Sequence, residues 1–263
     1  MKKLVVSGCS HTEGSAFWKN PSPYDEAPIS SPELKKFYKQ ETVSKQWVRD
    51  NLTWGAKLQK LGNYKSFLNL AKGGQGIDYI LRKILFYTFK KNNLSDHTFI
   101  IQIPAPERKE FFYKGKLHTF TNLVNHDYII NLNKNFLFEL YNLEYYEYQA
   151  LQTLLIIQDL LESKNAKVKF FCEPFLHLNS NKPVSLKKLY KGIFEENRVL
   201  RHELLIDKIN FIATKNFGAH KQLYLHHAGL KEDDMHFTEE GNTELARYLY
   251  KNMDNKENYK PLL

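Results

Sequence analysis

The sequence predicts an α/β fold in which helices cover both faces of a parallel sheet. Short apolar runs at 3–8, 98–103 and 167–172 are typical of strands that are buried on both faces. Segments in which apolar residues recur at helical spacing separate these runs along the chain. Because this alternation is the pattern of parallel α/β proteins, we expect a three-layer α/β/α sandwich, flavodoxin-like, with a parallel sheet of about five strands.

The spacing of apolar residues, together with the positions of glycine and proline, predicts where each helix and strand lies. The first strand is predicted to end at Gly8, Gly62 is suited to end the first long helix, and Pro104 closes the clearest buried strand. Apolar residues three or four positions apart predict the helices. In chain order, we expect strands at 3–8, 66–71, 98–103, 167–172 and, weakly, 222–225, with helices at 45–62, 76–91, 138–163, 185–214 and 238–252.

The length of 263 residues suits a single domain spanning 1–263, with two insertions. The first insertion, at about 13–45, is rich in proline and serine and is predicted to hold little regular structure apart from a short helix near 32–40. The second, at about 108–137, alternates aromatic and polar residues around a Lys-Gly pair, which is the pattern of a β-hairpin.

The formal net charge of +9 could indicate a polyanionic partner such as nucleic acid. The lysines and arginines are, however, spread along the chain, whereas a nucleic-acid site usually clusters them. A solvated, lysine-rich surface is therefore the favoured interpretation, and we do not expect nucleic acid as a partner. The sequence leaves the oligomeric state open.

Two cysteines, Cys9 and Cys172, argue against a disulfide framework or a zinc site. No apolar run approaches the roughly 20 residues of a membrane span, and the amino-terminal run LVV is shorter than the apolar core of a signal peptide, about 7–15 residues. We therefore expect no membrane partner and a cytoplasmic location, with association with a virion left open.

Three turns rich in small or polar residues directly follow predicted strands: 8–10, 73–74 and 104–108. In open parallel sheets the functional site lies at the carboxyl ends of the strands, so these turns should meet at one edge. Near the other end of the chain, Asp233 and His236 precede the last helix. A serine nucleophile needs a histidine to take its proton and a carboxylate to orient that histidine. Ser10 in the first turn, His236 and Asp233 supply these three groups.

These residues resemble the motifs of the SGNH (GDSL-type) hydrolase superfamily. The family's Gly-Asp-Ser turn after the first strand matches Gly8-Cys9-Ser10, and the resemblance implies Ser10 as the nucleophile. The family's second motif, an asparagine followed five residues later by an oxyanion-hole glycine, matches Asn69 and Gly74. Its Asp-x-x-His motif matches Asp233 and His236, and the block Gly-Cys-Ser-His-Thr looks most like SGNH-type proteins of bacteriophages and marine bacteria.

One motif departs from the family. After the third strand the family usually has Gly-x-Asn-Asp, whose asparagine supplies a third oxyanion donor, whereas this chain has QIPAPER over 102–108. Loss of one such donor typically costs about 100–1,000-fold in rate. Either Arg108 or Gln102 replaces it, or the site is weak, or the protein is not an esterase.

The resemblance implies a serine ester hydrolase that acts on a small acyl ester, such as an O-acetyl group on a carbohydrate, with a small-molecule or glycan partner. It implies no cofactor and no metal. The alternative is a non-catalytic SGNH-fold protein that binds a glycan or is associated with a virion, and the missing asparagine is the main support for that alternative.

Other interpretations of single residues stay open at this level. Asp234 competes with Asp233 for the triad, and Cys9 could itself be the nucleophile with His11 or His236 as its base. The His-His pair at 226–227 fits no common zinc pattern. Ser10 could also be an ordinary turn residue, Gly74 a turn glycine and His236 a solvated residue before a helix.

Overall fold

The computed structural model describes residues 2–14, 45–104, 108–113, 116–120, 143–172, 209–212, 224–225, 236–237 and 239–253. In chain order the elements are β1 (Lys3–Ser7), α1 (Ser10–Glu13), α2 (Lys45–Asn51), α3 (Trp54–Leu61), β2 (Ser66–Asn69), α4 (Ile77–Thr88), β3 (His97–Ile103), β4 (Lys109–Tyr113), β5 (Lys116–Phe120), α5 (Leu143–Glu162), β6 (Lys167–Cys172), β7 (Tyr224–Leu225), β8 (His236–Phe237) and α6 (Glu239–Asn252). The short helix predicted near 32–40 and most of the first insertion lie outside the described residues.

The central sheet has four parallel strands in the order β2-β1-β3-β6. Residues 210–212 pair with the free side of β6. The backbone N–H of Phe170 in β6 donates to the carbonyl of Asn210 (2.8 Å), and the N–H of Ile212 donates to the carbonyl of Phe170 (2.7 Å). Phe170 and Phe211 thereby form a parallel bridge at a fifth position. This is the 2-1-3-4-5 order of flavodoxin-like proteins. It confirms the predicted fold class, with four described strands and one bridge instead of about five strands.

Helices cover both faces of this sheet. On one face, buried residues of α4 and α5 pack against alternate strand residues such as Val5, Phe99 and Phe170. On the other face, α3 and α6 pack against Leu4, Ile100 and Phe171. Because successive strand residues point to opposite faces, strands that are apolar throughout can bury both sides, and a three-layer α/β/α sandwich results.

The single helix predicted over 45–62 is wrong: α2 and α3 are separate helices. Thr53 lies between them in an extended conformation (φ −72°, ψ 155°), and its hydroxyl accepts from the N–H of Ala56 (3.3 Å) at the start of α3. The same hydroxyl donates to the carbonyl of Arg49 (2.8 Å) in α2. A threonine cap thus ends one helix and begins the next, and helical spacing of apolar residues on both sides conceals the break.

The predicted hairpin in the second insertion is confirmed, because β4 and β5 pair antiparallel on either side of residues 114–115. An ion pair holds this hairpin against the sandwich: the guanidinium of Arg82 in α4 donates to both carboxylate oxygens of Glu110 in β4, with Nη2 2.9 Å from Oε1. The Glu110 carboxylate is almost fully buried, at 6% exposure. A paired guanidinium satisfies it with bidentate hydrogen bonds.

The remaining predictions differ at the carboxyl-terminal end. The helix predicted over 185–214 is wrong at 209–212, because these residues pair beside β6. Ile209 and Ile212 are buried on opposite faces of the sheet. The weak strand predicted at 222–225 is found as β7, which pairs antiparallel with β8. The last helix is confirmed as α6. Among the described helices, none combines the length and the apolarity needed to cross a bilayer.

A histidine lies buried at the amino end of β3, on the sheet edge opposite the predicted site. His97 is 4% exposed, its Nδ1 lies 2.6 Å from Oδ1 of Asp96, and its Nε2 lies 2.9 Å from the hydroxyl of Tyr87. Burial lowers the pKa of His97 below the ordinary value of 6.5, although the Asp96 carboxylate opposes that shift. The folded protein therefore favours the neutral imidazole.

This arrangement predicts a pH-dependent stability. Because the unfolded chain binds a proton at His97 more readily than the folded chain does, the free energy of unfolding should decrease as the pH falls from about 7.5 to about 5.5, through the unfolded pKa of about 6.5. Urea denaturation at both pH values measures the decrease. His97→Gln keeps a polar side chain that does not titrate, so its decrease should be smaller; an equal decrease in both proteins would contradict the prediction.

Candidate active site

Ser10 begins a one-turn helix directly after the central strand β1. Cys9 precedes it in an extended conformation (φ −98°, ψ −154°), and Gly14 ends the turn with a left-handed φ of 81°. The side chain of Cys9 is fully buried, whereas Ser10 is partly exposed. Since a nucleophile must reach its substrate, this difference in exposure favours Ser10 over Cys9.

The turn before Ser10 is tightly packed against the end of β3. A Cβ atom at Gly8 would lie 2.8 Å from Cβ of Gln102, and it would also overlap Oγ1 of Thr12. Gln102 is fully buried, and its Oε1 accepts a hydrogen bond from the Thr12 hydroxyl. Gln102 therefore lies against the turn that carries Ser10, and only glycine fits at position 8.

Asn69 ties the end of β2 to the same one-turn helix. Its side-chain Nδ2 donates to the backbone carbonyl of Thr12 (2.6 Å), and its Oδ1 accepts from the N–H of Ala71 (3.0 Å). The amide thus binds α1 on one side and fixes the start of the 70–76 loop on the other. Asn69, which the resemblance associates with the oxyanion motif, therefore positions the loop in this structure.

Glu13 makes a second connection between α1 and the 70–76 loop. Its Oε2 accepts from the backbone N–H of Gly73 (2.6 Å), and its Oε1 accepts from Nη2 of Arg49 (2.7 Å). The same Arg49 nitrogen lies 3.5 Å from the carbonyl of Ala71. Sequence reasoning missed both charged residues. The available signal was a carboxylate three residues after the predicted nucleophile, followed by an arginine in the next predicted helix.

Gly74 follows in a left-handed conformation, with φ of +74°. Apart from its chain neighbours, no heavy atom of the described residues lies within 4 Å of the position that a Cβ would occupy, and the residue is exposed. A glycine adopts this conformation without the steric cost that other residues carry. The peptide at Gly74 therefore lies in an exposed turn that hydrogen bonds hold against the helix of Ser10.

The backbone of Arg108 lies against the start of α4, at the same edge of the sheet. Gly76 precedes that helix, and a Cβ there would lie 2.8 Å from the backbone carbonyl carbon of Arg108. One guanidinium nitrogen of Arg108, Nη1, is buried and has no hydrogen-bond partner among the described residues. The structure thus brings the Ser10 helix, the Gly74 loop and Arg108 to the carboxyl edge of the sheet.

Tyr79 lies in the first turn of α4, among the charged groups of this edge. Burial raises the pKa of Tyr79, and the carboxylates of Glu13 and Glu110 raise it further, while Arg49 and Arg82 oppose the shift. The Arg82 guanidinium lies 5.3 Å from the centre of the Tyr79 ring. The phenol therefore stays protonated at neutral pH.

His236 is described at the backbone level only. It lies in β8, and the Cα atoms of β8 come within 8 Å of those of α1. The fold thereby brings together two segments separated by more than two hundred residues in the sequence. Asp233, Asp234 and the histidine pair at 226–227 lie outside the described residues, so the predicted triad remains a prediction.

No protein-family model matches the sequence, and no curated protein matches it. The solved structures that resemble it include a member of the lipolytic G-D-S-L family from Veillonella parvula, at 11% identity and a TM-score of 0.45, with 95% of this chain and 97% of that chain covered.

Two other solved structures resemble the chain to a similar degree. TesA shares 10% identity at a TM-score of 0.47, covering 96% of this chain and 98% of its own. Axe2, an acetylxylan esterase from Geobacillus stearothermophilus, shares 14% identity at a TM-score of 0.44, covering 96% of this chain and 94% of its own. The activities in these names are those of the neighbours.

The tight packing at Gly8 predicts an energetic coupling across the turn. Gly8→Ala should lower the free energy of unfolding by about 1–3 kcal/mol, because the added methyl group meets Thr12 and Gln102. In a Thr12→Ala background the same change should cost less, since the nearest obstructing atom is gone. Denaturant titration of the four proteins should give a coupling of at least about 0.5 kcal/mol. Additive effects would contradict the packing. Gly8→Ala combined with Glu244→Ala, at a partly exposed position of α6, provides an additive control pair.

Proposed function

We propose that this protein is a serine ester hydrolase of the SGNH type. The observation that carries the proposal is the hydrogen-bonded attachment of the Gly73-Gly74 loop to the helix that begins at Ser10, through Asn69 and Glu13. Such an attachment fixes the loop that carries the Gly74 N–H to the helix that carries the partly exposed Ser10, and acyl transfer requires an oxyanion-hole donor that is held in place beforehand. The backbone proximity of β8 to α1 supports His236 as the base.

In the proposed mechanism, the Ser10 hydroxyl attacks the acyl carbonyl carbon while His236 takes its proton. Asp233 orients the imidazole and stabilises its charged form. The tetrahedral intermediate places negative charge on the former carbonyl oxygen, which accepts hydrogen bonds from the backbone N–H groups of Ser10 and Gly74. His236 then protonates the departing alcohol, and water hydrolyses the acyl-enzyme by the reverse sequence of proton transfers.

We prefer Arg108 to Gln102 as the third oxyanion donor because Arg108 is partly exposed, whereas Gln102 is fully buried. The side-chain oxygen of Gln102 accepts from Thr12, and its Nε2, like Nη1 of Arg108, has no partner among the described residues. Arg108 lies beside the start of α4 and has a buried guanidinium nitrogen without a partner among the described residues. A guanidinium N–H can donate to an oxyanion in place of the family's asparagine.

The substrate class follows from the motif resemblance alone. It implies a small acyl ester, with O-acetyl groups of a carbohydrate as the first substrates to test. Neither a metal nor an organic cofactor takes part in the proposed steps.

The test is covalent labelling of Ser10. A fluorophosphonate probe should modify the wild-type protein at Ser10, and p-nitrophenyl acetate should be turned over, because both reactions use the activated hydroxyl. Ser10→Ala should abolish the labelling and lower kcat by at least about 1,000-fold, since removal of a triad member has effects of this size. Mass spectrometry of the labelled peptide identifies the modified residue.

Cys9→Ala is the matched control, because it changes the neighbouring potential nucleophile. It should keep both the labelling and the turnover. Labelling that survives in Ser10→Ala but is lost in Cys9→Ala would overturn the assignment. A wild-type protein that shows neither labelling nor turnover would favour the non-catalytic, glycan-binding or virion-associated alternative.

A further inference from the structure

The Glu13 carboxylate joins three separate segments at the proposed active edge. One oxygen accepts from the backbone N–H of Gly73 (2.6 Å), and the other accepts from Nη2 of Arg49 (2.7 Å). Glu13 itself belongs to the helix that begins at Ser10. The carboxylate therefore connects α1, the end of α2 and the 70–76 loop.

This connection is well shielded from water. The side chains of Glu13 and Arg49 are 11% and 26% exposed. Hydrogen bonds to an ionised group are short and strong, and a partly buried ion pair is screened less than one at the surface. Solvent thus competes weakly for either oxygen, so the loop position depends on this side chain.

The anchor of this connection lies in the body of the fold. The carbonyl of Arg49 accepts from the hydroxyl of Thr53, which caps α3. The α3 helix packs in turn against the sheet through Trp54, whose ring contacts Phe171 with a centroid distance of 5.2 Å. The backbone of Arg49 is therefore attached to an element of the core, and its side chain links Glu13 to that element.

The hydrogen bond from Gly73 to Glu13 also indicates which of two neighbouring glycines can supply the oxyanion-hole N–H. Because the N–H of Gly73 donates to Glu13, it is directed to the carboxylate and not toward a substrate. The following residue, Gly74, has a left-handed φ of +74° and is exposed. The peptide that Glu13 holds thus immediately precedes the one assigned to the oxyanion hole.

We propose that Glu13 is a positioning residue that fixes the Gly74 N–H relative to Ser10 through its hydrogen bond to Gly73. This inference rests on the proposed esterase function and adds a residue outside the triad and the oxyanion donors. Glu13 does not touch the reacting atoms. Its effect should therefore appear in kcat, where an oxyanion donor acts, more than in KM.

The experiment compares Glu13→Gln and Glu13→Ala with the wild type. In Glu13→Ala, kcat for p-nitrophenyl acetate should fall by about 100-fold, the typical effect of losing one oxyanion donor, while KM changes by less than about threefold. Glu13→Gln retains an amide oxygen that can accept from Gly73, so its kcat should be at least about tenfold higher than that of Glu13→Ala. Asp96→Asn is the matched control, because it removes a paired carboxylate at the opposite sheet edge, and it should retain wild-type kcat.

Amide hydrogen exchange of the 70–76 peptide provides a readout that does not depend on activity. The Gly73 amide should exchange at least about tenfold faster in Glu13→Ala than in the wild type, because the acceptor that protects it is gone. Exchange of β1 should be unchanged in the same variant, which establishes that the protein is folded.

The outcomes separate the two proposals. A wild-type protein with no labelling and no turnover refutes the esterase function, and faster Gly73 exchange in Glu13→Ala still supports the role of Glu13 in holding the loop. Unchanged exchange in Glu13→Ala overturns the inference whatever the activity. In an active wild-type protein, a kcat of Glu13→Ala within threefold of the wild type also overturns it.

Discussion

Parallel pairing of β1 between β2 and β3 is the constraint on which the rest of the structure depends. Because the three strands run in the same direction, their carboxyl ends meet at one edge, and the turns that follow them are neighbours. Both faces of β1 are buried, with Val5 packed on one side and Leu4 and Val6 on the other. A one-residue change in the register of β1 would turn each of its side chains to the other face of the sheet. The packing of β1 therefore sets its register, and with it the position of Ser10.

Polar side chains then set the geometry of the edge. Buried polar groups need hydrogen-bond partners. At this edge the partners lie at the ends of different strands or in the loops that follow them. Thr12 binds Gln102 near the end of β3, Asn69 at the end of β2 binds the Thr12 carbonyl, and Glu13 binds Gly73. Each bond joins α1 to a segment that is remote in sequence. The proposed nucleophile therefore lies on a short helix that is held from two sides.

Much of the fold could be predicted because hydrophobic periodicity is a local property. The apolar runs identified β1, β3 and β6, and the aromatic alternation identified the β4–β5 hairpin. The failures also have local causes. Thr53 divides a continuous apolar pattern into α2 and α3 by capping, and Ile209 and Ile212 are recruited beside β6, where helical spacing had been expected. Capping and edge pairing depend on partners that periodicity does not contain.

By itself, the sequence determined the α/β class, the strand ends that carry the candidate site, and the residue types there, because these follow from spacing and from the rule that parallel strands share an edge. Only the tertiary structure decided which groups meet. It buried Cys9 and left Ser10 partly exposed, placed Gln102 against the turn, and paired Glu13 with Arg49 and Gly73. The physical reason is that burial and hydrogen bonding are relations between distant segments, and no local pattern specifies the partner.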